Sequence, residues 1–258
     1  MRIQLVNRLR AAGCVFAEDE AELLIAAAGT PEELDTLVAR RVAGLPLEQV
    51  IGWAEFCGLR IALEPGVFVP RRRTEFLVQQ AAALAPPGAV LLDLCCGAGA
   101  IAAALATLVP VAEIHAADID PAAIRCARRN VPGQVYQGDL FAPLPPGLRG
   151  RVAILTANVP YVPAAEIALL PAEARDHEPR TALDGGPDGL DVLRRVAAEA
   201  PRWLAVSGYL LVETSENQAP LAVAAFTAAG LSARTASSAY ASVVIGQSVS
   251  KRTVVSPP

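Results

Sequence analysis

Leu91-Leu92-Asp93-Leu94-Cys95-Cys96-Gly97-Ala98-Gly99-Ala100-Ile101 is the stretch that decides the fold. The unbroken apolar run Ala89–Leu94 reads as a strand buried on both faces. It passes through a turn of small residues into an Ala-rich helix, Gly99–Leu108. Gly97 and Gly99 let the backbone approach a ligand closely, and the amino terminus of the following helix favours an anionic or carboxylate group. Nucleotide-binding folds in general share this unit, so its neighbours must say what it holds.

Downstream, strands and helices alternate. Glu113–Ile119 is a second strand, and Asp120-Pro121 caps a helix ending near Asn130. Gln134–Gln137 and Ala153–Thr156 are further strands, followed by a helix at Asp188–Leu204 and a strand at Tyr209–Glu213. A helix at Pro220–Ala229 is closed by Gly230, and Ser232–Thr235 and Val243–Gly246 form an extended pair. The pattern predicts an α/β fold: a doubly wound, mostly parallel sheet of seven strands with an antiparallel edge. Pro163–Pro187 is long for a structureless connection, which favours a lid or binding loop.

Upstream, residues 1–45 read as helical. Leu5, Leu9 and Ala12 share helical spacing, as do Leu23, Ala26 and Ala27. Thr30-Pro31-Glu32-Glu33 is a helix start, with a capping hydroxyl, Pro at the first position and acid at the third; that helix stops at Gly44. Residues 53–69 read as a hairpin of Glu55–Ile61 and Val67–Val69, turned at Glu64-Pro65-Gly66. The expected division is a helical domain over 1–52, a β-hairpin linker over 53–69 and a ligand-binding domain over 70–258.

At 258 residues the chain can bury roughly 75% of its unfolded surface, so its core needs no staples. No apolar run approaches the ~18 residues of a spanning helix, so no membrane association is expected. Met1-Arg2-Ile3-Gln4-Leu5 lacks the apolar stretch of an export signal. Five cysteines without zinc spacing fit reduced thiols in a cytoplasm and no metal. A net charge of −4 argues against a stable nucleic-acid complex. A monomer is the expected state.

Asp118 ends the second strand, 19 positions after Gly99, where an acid accepts hydrogen bonds from ribose hydroxyls. Gly138-Asp139-Leu140-Phe141 follows the third strand; Asp139 is placed to accept from an adenine amino group while Leu140 packs on the ring. A plain turn residue is the alternative for Asp139. Dinucleotide enzymes share the glycine turn and the acid, but usually with a third glycine where Ala102 stands. Cys95 and Cys96 have no basic neighbour in sequence to activate them and read as small turn and core residues. The candidate cofactor residues are thus Cys95, Cys96, Gly97, Ala98, Gly99, Asp118, Asp139 and Leu140, with Asn158 beside them.

Asn158-Val159-Pro160-Tyr161 follows the apolar run Val152–Leu155, at the carboxyl end of a strand where open α/β sheets bind ligands. The Asn158 side-chain oxygen and the Val159 carbonyl can accept the two N–H bonds of a planar NH₂ group. That orients the nitrogen lone pair and disperses charge developing on it. Pro160 stiffens the turn and Tyr161 can stack on a flat amide. The alternative is a simple Asn-initiated turn with Tyr161 filling a groove.

Taken together, these segments resemble the bacterial protein-(glutamine-N5) methyltransferases, the release factor glutamine methyltransferase family. The resemblance runs from about Leu45 to Gly246. It includes Pro46–Gly52, Glu55–Leu59, Pro65–Arg71, the glycine turn, Asp118, Gly138–Phe141, Asn158–Tyr161 and Glu178–Leu190. It implies a seven-stranded, Rossmann-like class I methyltransferase fold and S-adenosyl-L-methionine as methyl donor. It also implies cofactor contacts from residues 95–99, Asp118 and Leu140, and glutamine contacts from Asn158, Val159, Pro160 and Tyr161. The implied substrate is the Gly-Gly-Gln loop of a peptide chain release factor, docked in part on the amino-terminal helices. Three features depart from the pattern. Val159 replaces a proline, Arg72-Arg73-Thr74 stands where Pro-Glu-Thr is usual, and the amino-terminal region is shorter. Arg71–Arg73 read either as an exposed basic face or as a carboxylate-binding group. His177 reads as a loop residue and His115 as structural. An adenine N6 methyltransferase and a non-catalytic S-adenosylmethionine-binding protein are the competing functions.

Overall fold

The computed structural model describes residues 2–249. Four helices come first: α1 (Arg2–Ala11), α2 (Ala17–Ala27), α3 (Pro31–Val42) and α4 (Leu47–Ile51). Thr30 caps α3 as its sequence predicts, its hydroxyl accepting from the Glu33 N–H at 3.2 Å. These helices enclose their own small core around Leu5, Leu9, Ala17, Leu24 and Val38. The buried face of α2 is Ala17, Glu20, Ala21 and Leu24, not the expected Leu23, Ala26 and Ala27. Glu20 is buried because it meets Arg41 in a two-pronged ion pair at 2.6 and 3.0 Å. A polar residue on the inner face hid the apolar stripe from view.

A hairpin follows, β1 (Trp53–Phe56) and β2 (Leu59–Ala62). It turns at Cys57-Gly58, both with positive φ (50° and 74°), the requirement of the two-residue turn that matches strand twist. The expected turn at Glu64-Pro65-Gly66 lies beyond the hairpin, and Val67–Val69 is not a strand. Gln49 holds that second bend instead, accepting from Gly66 N–H at 3.1 Å and donating to the Val67 carbonyl at 3.0 Å.

The remainder builds the sheet: α5 (Glu75–Leu84), β3 (Ala89–Leu94), α6 (Ala100–Leu108), β4 (Val111–Asp118), α7 (Pro121–Asn130), β5 (Gln134–Gln137) and β6 (Val152–Ala157). Then come α8 (Ala172–His177), α9 (Asp191–Glu199), β7 (Leu204–Thr214), α10 (Ala219–Ala228), β8 (Leu231–Ser237) and β9 (Ser242–Ser248). The sheet order is β5-β4-β3-β6-β7-β9-β8, and β9 alone runs antiparallel to its neighbours. The doubly wound, mostly parallel seven-stranded sheet expected from the sequence is present. Every residue of β3 is buried. Its alternate side chains feed two cores, Leu91 with α5–α7 on one face, Leu92 and Leu94 with α9 and α10 on the other. Helix α5 was not anticipated; Leu77, Val78 and Ala81 are its buried stripe.

From β3 the chain winds outward to β4 and β5, then returns to lay β6 on the other side of β3. The crevice at this reversal is where open sheets bind ligands. It falls between the turn after β3 and the turn after β6, the two segments singled out above.

Candidate active site

The turn after β3 is held in shape by its backbone. Cys95, Gly97 and Gly99 all have positive φ (52°, 53° and 82°). The two glycines are needed for different reasons. A Cβ on Gly99 would strike Val131 and Ala127 of the α7 end, so helix α6 is packed against α7 through this missing side chain. A Cβ on Gly97 would meet nothing within 4 Å; its face is open to the crevice. Asn130 at the end of α7 braces the turn by donating to the carbonyls of Ala98 (2.8 Å) and Ala62 (2.9 Å), which ties it to the hairpin.

Asp118, at the tip of β4, accepts from the Gly97 N–H at 2.8 Å and from the Asp120 N–H at 2.9 Å. Its carboxylate shapes the glycine turn before any ligand arrives. Burial pushes its carboxyl above the ordinary range while those N–H groups pull it back. Each carboxylate oxygen keeps a lone pair for a further donor. Cys95 and Cys96 are free, and burial raises both thiols, so neither is a thiolate nucleophile. Leu140, at φ 48°, lines the cavity. Asp139 sits at its rim and accepts from Arg195 at 2.5 Å, an engagement the sequence did not reveal.

These groups line one cavity of about 850 Å³ together with Asn158, Val159, Pro160 and Tyr161. Asn158 Oδ1 is buried and has no hydrogen-bond partner among the described residues. An orphan acceptor of this kind is costly unless something donates to it. Val159 is 1% exposed and its side chain belongs to the α9–α10 core, so the residue that replaces proline anchors the turn by packing. Tyr161 is fixed through its hydroxyl, which donates to Glu213 Oε1 at 3.1 Å and accepts from Arg73 Nη2 at 2.6 Å. Burial, with Glu213 adding to it, pushes the phenol up to about 12.

Of Arg71–Arg73, Arg72 and Arg73 are exposed as a basic face requires and Arg71 is half-buried, but Arg71 and Arg73 are both engaged with buried carboxylates. Arg71 grips both oxygens of Glu178 (2.7 and 2.6 Å), a side chain with no exposed surface, and Arg73 Nε donates to the buried Glu213 at 3.1 Å. The partners Glu178 and Glu213 lie 107 and 140 positions away, beyond the reach of local pattern.

Residues 163–187 are not structureless. They form a strap containing α8 and two short 3₁₀ turns, Ile167–Leu169 and Arg180–Ala182. Arg41 of α3 bonds Glu173 at 2.7 Å, Glu178 holds Arg71 just after the linker, and Asp184 bridges to Val162 next to the Asn158–Tyr161 turn. His177 lies among these contacts, its carbonyl facing Gln49, and not against Asn158. His115 stacks on Tyr136 in the sheet.

A family profile described as Methyltransferase small domain matches residues 58–147. A release factor glutamine methyltransferase of Geobacter sulfurreducens is 40% identical over 208 residues, covering 78% of this chain and 72% of that protein. The chain belongs to the release factor glutamine methyltransferase family. A further relative, the 4-amino-L-phenylalanine/4-methylamino-L-phenylalanine methyltransferase of Streptomyces pristinaespiralis, is 35% identical over 86% of this chain and 78% of its own. Among solved structures, a methyltransferase from Pyrococcus furiosus superposes with a TM-score of 0.57 at 16% identity, over 75% of this chain and 90% of that one. That likeness establishes the shared fold. Family membership agrees with the features reached from the residues alone: the glycine turn, the acid at the tip of β4 and the Asn-x-Pro-Tyr turn facing them across one crevice.

Proposed function

We propose that this chain transfers a methyl group from S-adenosyl-L-methionine to the side-chain amide nitrogen of a glutamine in the Gly-Gly-Gln loop of a peptide chain release factor, a cytoplasmic reaction. The observation that carries this is the buried, unpartnered Oδ1 of Asn158 facing a cavity whose other wall is the glycine turn.

The residues present fit the cofactor. Gly97 offers backbone with open space before it, Asp118 offers acceptors for ribose hydroxyls, and Leu140 offers an apolar surface for a purine. The sulfonium supplies an electrophilic methyl group. An amide nitrogen is a poor nucleophile because its lone pair is delocalised, so the chain's contribution is position. Asn158 Oδ1 and the Val159 carbonyl accept the two N–H bonds, and Tyr161 stacks on the amide plane. Near-attack geometry of this kind can supply roughly 7–11 kcal/mol of a barrier. No strong base is needed: the N–H becomes acidic as the nitrogen gains the methyl group, and its proton can leave to solvent by way of the oxygen acceptor it already bonds.

Nucleic acid is disfavoured as substrate. The arginines at the cavity each carry a carboxylate partner: Arg71 with Glu178, Arg73 with Glu213, Arg180 with Asp184, Arg195 with Asp139. Little positive charge is left over for phosphates.

The test is transfer of labelled methyl groups to a release factor, with peptide mass spectrometry to locate the mark and Asn158→Ala as control. A mark on the loop glutamine, lost in the control, is expected. Transfer to a free aromatic amine but not to the release factor would overturn the substrate. Cofactor binding with no transfer to either would overturn the activity.

A further inference from the structure

The end of β7 and its connection to α10, Glu213-Thr214-Ser215-Glu216-Asn217-Gln218, carry a buried polar side chain at either end: Glu213 is 2% exposed and Gln218 8%. Both point at Tyr161. Glu213 Oε1 takes the phenol hydroxyl at 3.1 Å. Gln218 Nε2 donates to the Tyr161 backbone carbonyl at 2.9 Å and to the Asp188 carbonyl at 3.0 Å. The Gln218 oxygen is held in turn by the Ser215 hydroxyl at 2.7 Å. Tyr161 is therefore gripped at its ring tip and at its backbone by one short segment of chain.

The glycine-rich end of the strap completes this grip. Gly185 donates to the Val162 carbonyl at 2.9 Å. A Cβ on Gly185 would meet the Pro160 carbonyl, and one on Gly189 would meet the Tyr161 carbonyl and the Gln218 amide. The strap's backbone lies directly against the rear of the catalytic turn, and Gln218 staples the two together. Arg73 pairs with the buried Glu213 carboxyl, its Nε 3.1 Å from Oε1.

We propose that Glu213 and Gln218 are positioning residues for the methyl-transfer site, fixing Tyr161 so that its ring and the adjoining Asn158 and Val159 acceptors hold the amide in one orientation. This rests on the glutamine-methylating reading above and names two residues that serve that site without touching substrate. Arg73, in the place where the family usually carries a glutamate, belongs to the same device as counter-ion to Glu213.

The experiment has two arms. In the first, full-length Glu213→Ala, Glu213→Gln, Gln218→Ala and Tyr161→Phe proteins are compared in release-factor methylation and cofactor titration. Glu213→Ala and Gln218→Ala are expected to lower kcat by about 10²-fold, the cost of a small misplacement. KM for S-adenosylmethionine stays within about twofold, because the cofactor wall is untouched. Glu213→Gln keeps an oxygen for the phenol and recovers most of the rate. In a Tyr161→Phe background Glu213→Ala has no further effect, since its partner hydroxyl is gone, whereas Gln218→Ala still does, because it holds the backbone. Wild-type turnover in both alanine variants, or full additivity of Glu213→Ala with Tyr161→Phe, would overturn the proposal.

The second arm needs no turnover. The four tyrosines are replaced by 3-fluorotyrosine, and the ¹⁹F resonance of Tyr161 is assigned by its loss in Tyr161→Phe. One sharp line is expected in the wild type, shifted or broadened in Glu213→Ala and Gln218→Ala and restored in Glu213→Gln. An unchanged line in both alanine variants would overturn the positioning role even if the wild type proved inactive on release factors. Inactivity alone, with the line responding as expected, would overturn the substrate and leave the grip on Tyr161 established.

Discussion

Asp118 Oδ2 lies 2.8 Å from the backbone nitrogen of Gly97, so the acid of one strand end sets the conformation of the turn at the next. Asp118→Ala removes an acceptor for the cofactor and the brace of the turn together. Each hydrogen bond to a charged group is worth about 1.5–3 kcal/mol. Cofactor affinity should fall by at least one such increment, read by calorimetry; unchanged affinity would exclude the assignment.

Asn158→Ala removes the orphan acceptor and little else. Turnover should drop by about 10²–10³, the usual loss for one preorganised partner of a transition state, while calorimetric cofactor binding stays intact. Near-normal turnover would show that the amide is oriented elsewhere.

The two glycines of the turn should respond differently to alanine. Gly99→Ala combines a left-handed φ with collision against Val131 and Ala127, so overpacking of about 1–3 kcal/mol adds to roughly 1–2 kcal/mol of backbone strain. Gly97→Ala meets open space and bears the strain alone. Denaturant midpoints should rank wild type, Gly97→Ala, Gly99→Ala in falling order. Cofactor binding by the folded protein should suffer more in Gly97→Ala, whose methyl enters the crevice.

Asp93 is 2% exposed. It accepts from the Thr156 hydroxyl at 2.8 Å, and its second oxygen has no well-aligned partner among the described residues, although the Ala102 N–H lies close enough to pull the carboxyl down somewhat. Burial pushes its carboxyl up to about 7 from an ordinary 3.8. Between those values the folded state binds the extra proton, so stability falls as pH rises through the window. Asp93→Asn keeps the acceptor for Thr156 and cannot ionise. Urea denaturation at about pH 5 and about pH 8 should show a smaller loss in the variant than in the wild type; equal losses would mean that Asp93 titrates normally.

The sheet and the two turns facing the crevice were legible because each rests on local chemistry. An apolar run, glycines at a strand end and an acid closing the next strand are written within a few residues of one another. Thr30 and Asp120 announce their helices for the same reason; Asp120 Oδ1 accepts from the Ala122 N–H at 2.7 Å. The hairpin turn was misplaced because Glu64-Pro65-Gly66 is the louder turn signal, while Cys57 takes a left-handed φ that cysteine seldom adopts. Helix α5 follows three arginines and has a short stripe, which obscured it. Glu213, Gln218 and Glu178 stayed hidden because their partners are far away in sequence, and a buried charge declares itself only when its counter-ion is in view.

The strap over the cavity carries one more consequence. It is pinned to α3 at Arg41, to Arg71 just after the linker and to the end of the Asn158–Tyr161 turn at Val162, so it is a crossbeam rather than a flap. For any partner gripped on the amino-terminal helices, the reach from that grip to Asn158 is a length built into this chain. The helices and the strap together form a ruler.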